Sequence, residues 1–210
     1  MSKGVLAVVS GFSGAGKGTV MKRLLERYDE YALSISVTTR SPRPGEEDAR
    51  EYFFRTREEV EEMIRAEELL EYAEYVGNYY GTPRFYVEEQ LAKGKNVILE
   101  IEIQGAMKIK EKIPEAVLIF VTPPTVEELK KRLEGRGTES PEVIASRLKR
   151  AGEEAEGMEQ YDYLLVNDDL EDCVEELHRI MSSERCRASR NMDFIKRIQE
   201  ESRVFMKGDC

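Results

Sequence analysis

Gly11-Phe12-Ser13-Gly14-Ala15-Gly16-Lys17-Gly18-Thr19 lies between two segments of different character. Before it, Val5 to Ser10 is a short apolar run bounded by glycine, the pattern of a buried parallel strand. After it, the stretch to Tyr28 has helical spacing through Val20, Leu24 and Leu25. A strand feeding a helix through a G-x-x-x-x-G-K loop commits the chain to an α/β architecture and gives it a phosphate site. Glycines let the backbone fold around an anion, its N–H groups point at phosphate oxygens, and the helix N-terminus adds positive potential. Lys17 is expected to reach the β- and γ-phosphates.

The rest of the chain continues that rhythm. Asn96 to Ile101, Val117 to Val121 and Tyr161 to Val166 read as further strands followed by helical stretches, which implies a parallel sheet covered on both faces. Residues 34–93 interrupt it with Pro42, Pro44 and Gly45, a short helix near 57–66 and a tyrosine-rich stretch from Tyr72 to Tyr80. They read as an inserted subdomain. Leu129 to Leu148 reads as two helices joined by a mobile turn at Arg136-Gly137-Thr138. The expected division is therefore a core of 1–33, 94–128 and 154–182, an insertion at 34–93, a lid at 129–153 and a C-terminal extension at 183–210. The extension is polar, mildly basic and helical in pattern, and serves as a solvated helix or an oligomer contact.

Charge narrows the function. Of 210 residues, 32 are Lys or Arg and 42 are Asp or Glu, a net charge of −10. That balance argues against a general partner of nucleic acid or anionic membranes. No apolar run is long enough to span a bilayer. Cys173, Cys186 and Cys210 lack metal-ligand spacing and read as free thiols, consistent with a cytoplasmic protein. Eight glutamates and one arginine between Glu58 and Glu74 supply −7 of the net charge. Arg40, Arg43, Arg50, Arg55 and Arg57 precede that segment, and Arg132, Arg136, Arg147, Lys149 and Arg150 follow later.

A phosphate loop alone leaves GTPases, ATPases, kinases and transporters open. No Asn/Thr-Lys-x-Asp motif for a GTPase is present, and the length is short for most motor ATPases. A small phosphotransferase needs a second phosphate-binding segment, and Ser34 to Glu46 supplies one. Arg40 and Arg43, three apart on a proline-stiffened loop, can fork onto one phosphate while nearby hydroxyls donate to its other oxygens. Gly18 stands where many such loops place a Ser or Thr for Mg²⁺. The metal is therefore expected to be held mainly through phosphates and water, with Glu100 as candidate carboxylate.

On the phosphate loop, Ser36-x-x-x-Arg40-x-x-Arg43-x-Gly45-Glu46, Gly77 to Thr82, Leu133 to Thr138 and Val166-Asn167-Asp168-Asp169, the sequence resembles the guanylate kinases over about residues 4–182. The resemblance implies a P-loop nucleoside monophosphate kinase fold, with a GMP-binding subdomain and a helical lid on the parallel-sheet core. It implies transfer of a phosphoryl group from ATP to GMP, with Mg²⁺. Ser36, Arg40, Arg43, Tyr52 and Tyr80 would hold the GMP phosphate, while Glu71, Thr82 and Glu102 would face guanine. Arg132, Arg136 and Arg147 would converge with Lys17 on the transferring group, and Asn167 would lie near adenine.

The chemistry agrees with that assignment. Guanine offers N1–H and N2–H₂ donors, which a carboxylate such as Glu71 matches, and an O6 acceptor for a hydroxyl such as Thr82. The other seven glutamates of the acidic segment are expected to be solvated. Glu102 departs from the aspartate more frequent in the family by one extra methylene. The only histidine, His178, is expected to be structural. Two rivals stand beside this reading: a kinase of AMP, UMP or CMP, and a non-catalytic module of the kind that binds phosphopeptides.

Overall fold

The computed structural model describes residues 4–135 and 140–206. β1 (Leu6–Gly11) leads through the glycine loop into α1 (Lys17–Arg27) and β2 (Tyr31–Leu33), a three-residue strand that the sequence pattern did not signal. The next segment holds β3 (Val37–Thr38), β4 (Phe53–Phe54), α2 (Arg57–Arg65), β5 (Leu69–Tyr75) and β6 (Asn78–Pro83). α3 (Arg84–Ala92) then returns the chain to β7 (Asn96–Glu100), α4 (Ile103–Lys112) and β8 (Val117–Thr122). α5 (Val126–Gly135), α6 (Pro141–Ala155), β9 (Tyr163–Val166), α7 (Leu170–Arg185) and α8 (Met192–Met206) follow.

The main sheet is parallel, in the order β2-β7-β1-β8-β9. β1 is its centre and is buried on both faces, which accounts for its unbroken apolar sequence. Its residues alternate between two cores: Ala7 and Val9, with Val5 just before the strand, pack with Met21, Leu24, Phe120, Leu129 and Leu177, whereas Leu6 and Val8 pack with Leu70, Val87, Leu91 and Ile109. β1 ends at Gly11, where φ is 151° and a Cβ would lie 2.1 Å from the carbonyl oxygen of Val121. Only glycine lets the loop leave the sheet there. β9 begins two residues later than the apolar pattern suggested and, as an edge strand, exposes Leu164 and Val166.

A second sheet, in the order β4-β3-β6-β5, is built within the interrupting segment. It has a small core of its own from Val37, Val60 and Leu69. Its charged residues are less idle than expected. Thr56 and Glu59 form a reciprocal capping box on α2. Arg57 is 3.2 Å from Glu61 and 3.1 Å from Glu74.

Three of the expected boundaries fall inside helices: 128/129 within α5, 153/154 within α6 and 182/183 within α7. α5 carries Leu129 and Leu133 into the core, so its buried face is continuous with the main body. The turn expected at Arg136-Gly137-Thr138 lies outside the described residues. In the last turn of α7, Glu184 is buried, accepts from Tyr163 Oη at 2.7 Å and pairs with Arg190 beyond the helix at 3.4 Å, which fixes the start of the extension. His178 stacks on Tyr28 at 3.8 Å between centroids and bonds Tyr31 Oη at 2.8 Å, joining α7 to α1 and β2. Cys173 is buried and Cys186 exposed, both as free thiols. Among the described residues, no helix is long and apolar enough to cross a membrane.

Phe120 is fully buried and meets Phe12 edge-on at 5.0 Å and Tyr161 at 5.1 Å. Truncation to alanine is expected to destabilise the protein by about 3–5 kcal/mol, read as a fall in the urea midpoint.

Candidate active site

The glycine loop is held from below. Gly16 caps α1 with φ +90°, and a Cβ there would lie 2.5 Å from Asn167 Nδ2. That close approach serves a bond: the buried Asn167 amide donates to the carbonyl of Ala15 at 2.7 Å. Arg132 in turn donates to the Asn167 carbonyl at 2.9 Å and to Glu128 at 2.9 Å. Asn167, expected near adenine, and Arg132, expected at the transferring group, here brace the glycine loop itself. Phe12 and Ala15 are buried anchors of that loop, Gly14 packs against Leu133, and Gly18 and Thr19 are exposed on the first turn of α1.

Lys17 Nζ donates to the carbonyls of Gly11 at 2.6 Å and Phe12 at 3.3 Å. Burial lowers its pKa from the usual lysine range, and the charges of Glu100, Glu154 and Glu102 pull the other way. From α6, Arg147 donates to Ser13 Oγ, so a second cation reaches the loop from above.

Two adjoining cavities flank the C-terminal ends of β1 and β7. One of about 520 Å³ is lined by Gly11, Ser13, Lys17, Ile103, Arg150 and Glu154. The other, of about 380 Å³, is lined by residues including Ser36, Glu71, Tyr80, Gly105 and Lys108. Tyr52, Glu100, Ile101 and Glu102 border both. That shared wall is tied to the central strand by Ser10 Oγ, which donates to the Ile101 carbonyl at 2.7 Å. Burial raises the pKa of Glu100, opposed by the Lys17 charge. The wall therefore presents a carboxylate facing a lysine.

In the second cavity, antiparallel pairing of β5 and β6 sets Glu71 beside Thr82. Both are buried, and Thr82 Oγ1 donates to Glu71 Oε1 at 2.7 Å. Burial raises the Glu71 pKa above the ordinary 4.5, opposed by the Thr82 bond and by Lys108 and Lys112. Thr82 is the donor that steadies this carboxylate. The Thr82 bond occupies one lone pair of this buried carboxylate, and the acceptor capacity that a carboxylate keeps beyond one such bond favours an N–H donor as ligand.

The segment expected to bind the acceptor phosphate also has internal order. Arg40 forks onto Glu46, Nη1 at 2.9 Å and Nη2 at 3.0 Å, and the Arg43 backbone N–H donates to the same carboxylate at 2.7 Å. Glu46 thus fills a fork shaped for two oxygens of one anion. The Arg40 guanidinium lies over the ring of Tyr52 at 5.3 Å, and Tyr52 meets Tyr80 edge-on at 6.0 Å. The Arg43 side chain is exposed. Glu102 does not aim at Glu71: its carboxylate is 2.6 Å from Arg150 Nη2. Arg136 lies outside the described residues.

Arg150, Glu154 and Lys108 were not singled out by the sequence as parts of a site. Arg150 stands three residues after Arg147 on α6, a spacing that puts both on one helix face and would have been a usable signal. Lys108 and Glu154 become visible only when α4 and α6 are packed against the shared wall.

Comparison with known proteins agrees with this geometry. The guanylate kinase family model matches residues 3–184. The chain is 55% identical over 202 residues to guanylate kinase of Lactococcus lactis subsp. lactis, covering 96% of this chain and 98% of that one. It is 51% identical over 203 residues to guanylate kinase of Streptococcus thermophilus, covering 96% and 97%. Among solved structures, guanylate kinase from Anaplasma phagocytophilum superposes with a TM-score of 0.69 at 37% identity, covering 90% of each chain. A phosphate loop and a buried, hydroxyl-steadied carboxylate on either side of one wall, joined to these matches, place the chain in the guanylate kinase family.

Proposed function

We propose that this chain transfers the γ-phosphoryl group of ATP to GMP, and to dGMP, giving ADP and GDP or dGDP. The observation that carries the reading is the adjacency of the phosphate-loop cavity and the Glu71–Thr82 cavity across one wall. Guanine suits the second cavity because its N1–H and N2–H₂ meet the free acceptor capacity of Glu71. Adenine would leave that carboxylate unpaired, and buried polar sites reject such ligands by about 10⁴-fold.

The acceptor needs no general base. A nucleoside monophosphate has a second pKa of about 6, so at pH 7 its phosphate is largely dianionic. One of its oxygens forms the new bond to the γ-phosphorus as the bridging P–O bond breaks, and ADP leaves with that electron pair. The protein's task is to align two polyanions and offset their repulsion. Lys17 and Arg147 serve the donor side. Arg40 and Arg43, with Ser36, Tyr52 and Tyr80, serve the acceptor phosphate, which takes the Arg40 fork now filled by Glu46. Arg132 acts through Asn167 on the loop, and Arg136 serves the transferring phosphoryl group. Residues 34–93 act as the arm carrying the acceptor, and the segment from α5 to α6 as the cover that excludes water. ATP and GMP as substrates suit a cytoplasmic enzyme.

The residues also fit a magnesium ion that arrives on ATP. Among the described residues, no group of three or more His, Cys, Asp or Glu side chains forms a metal cage. Gly18 brings no hydroxyl, whereas Glu100 on the shared wall is a hard oxygen donor beside Lys17. Bound there, the ion would neutralise phosphate charge as it develops.

Three measurements check the proposal. In a steady-state panel of GMP, AMP, UMP and CMP with ATP and Mg²⁺, GMP is expected to dominate, and AMP turnover equal to GMP would overturn the choice of base. Arg40→Ala should mainly raise KM for GMP and Arg136→Ala should mainly lower kcat; effects of both confined to ATP binding would sink that division. Glu71→Gln should lower kcat/KM for GMP by about 10²-fold or more. The same change should affect stability with a definite sign. The folded-state pKa of Glu71 is raised, so the native protein binds the proton more tightly than the unfolded chain and loses stability as pH rises from 4.5 through the raised value. Glu71→Gln removes that loss. Its urea midpoint should exceed that of the unmodified protein at pH 7, and the gain should vanish below pH 4.5.

A further inference from the structure

Arg150 is a cation of the phosphate-loop cavity that the reading above leaves without a task. It leaves α6 on the same face as Arg147. Arg147 reaches the loop at Ser13, whereas Arg150 reaches the opposite wall, with Nη2 2.6 Å from Glu102 Oε2. Its Nε is also 3.1 Å from Glu154, a bond within the same helix that moves with it. The Glu102 side chain is 75% exposed and that of Arg150 is 48% exposed. Exposed ion pairs are broken at little cost, so this one has the character of a latch and not of a strut. Glu102 is also placed to leave the pair, because it borders the acceptor cavity as well as the donor cavity. It stands at the N-cap of α4 without capping the helix, so no hydrogen bond to the backbone holds its carboxylate back.

We propose that Arg150 is a phosphate-facing arginine gated by the acceptor. Glu102 holds its guanidinium against the cavity wall until GMP is seated. The N–H donors of guanine then draw the Glu102 carboxylate toward the acceptor cavity, and the released guanidinium turns onto the transferring phosphoryl group. This rests on the GMP-phosphorylating reading and deepens it. The gate counters a side reaction. Without an acceptor, a water oxygen forms the bond to the γ-phosphorus, the bridging P–O bond breaks, ADP leaves with the electron pair and a proton passes to solvent. Withholding one cation until GMP is present slows that hydrolysis without slowing transfer.

The test measures ADP formation from ATP and Mg²⁺, with and without saturating GMP, in the full chain and in Glu102→Gln, Arg150→Gln and the double variant. Glu102→Gln should raise GMP-independent ADP formation about tenfold, and the double variant should abolish that rise. Arg150→Gln should lower kcat with GMP by about 10²-fold while KM for GMP stays within about threefold. Glu102→Asp, shorter by one C–C bond of about 1.5 Å, should loosen the latch and so raise GMP-independent hydrolysis. Hydrolysis unchanged in both Glu102 variants, or kcat unchanged in Arg150→Gln, overturns the gate. A lowered Tm with unchanged kinetics also overturns it, because the pair is then structural. If the unmodified protein phosphorylates GMP while the variants behave in those contrary ways, only the gate fails; if it does not phosphorylate GMP, the underlying reading fails first.

Discussion

The point at which β1 stops decides most of what this chain can do. The strand is buried between β7 and β8, and its last residue lies so close to the Val121 carbonyl that a side chain has no room. The backbone must turn out of the sheet there, and it turns into the N-terminus of α1, where amide dipoles converge. Ser10, one residue earlier, fastens the segment after β7 through the Ile101 carbonyl. One strand end thus positions both the glycine loop and the wall shared by the two cavities. Ligands of open parallel sheets gather at such carboxyl ends for the same reason.

The charges then sort by burial. Most arginines near the acceptor segment are already paired: Arg40 with Glu46, Arg50 with Glu47, Arg55 with Asp48 and Arg57 with Glu74. The pairing keeps the acceptor surface from presenting a bare basic patch, in line with the acidic balance of the whole chain. Glu71 is the exception among the clustered glutamates. It is buried, raised in pKa and steadied by Thr82, whereas Glu59 caps a helix and Glu61 and Glu74 neutralise Arg57. A net charge of −10 therefore coexists with a cleft edged by Lys17, Arg147 and Arg150.

Much of this was legible in the sequence because it is local. The glycine spacing, the apolar run before it and the helical period after it are set within one short stretch, and the structure has them as β1, loop and α1. Thr82 and Glu71 were legible as chemistry, since a carboxylate and a hydroxyl suit guanine, but their mutual bond depends on the register of β5 against β6. β2 is three residues long and gives no periodic signal. Asn167 and Arg132 read as substrate contacts because residue type speaks of hydrogen bonding and not of the partner. Only the packing of α5 and the end of β9 beneath the loop shows that they hold Ala15 and each other. The ion pair of Glu102 was hidden for a related reason: its partner, Arg150, is 48 positions away, on a helix whose orientation no local pattern specifies.

The central claim is that a buried carboxylate at position 71 reads the two N–H donors of guanine. Equilibrium titration of the unmodified protein with GMP and with inosine monophosphate, which lacks the 2-amino group, tests it most directly. A hydrogen bond to a charged group is worth enough that GMP should bind more tightly by about tenfold or more. Substituting Glu71→Gln should remove most of that difference. Equal affinities for the two nucleotides in the unmodified protein would contradict the account.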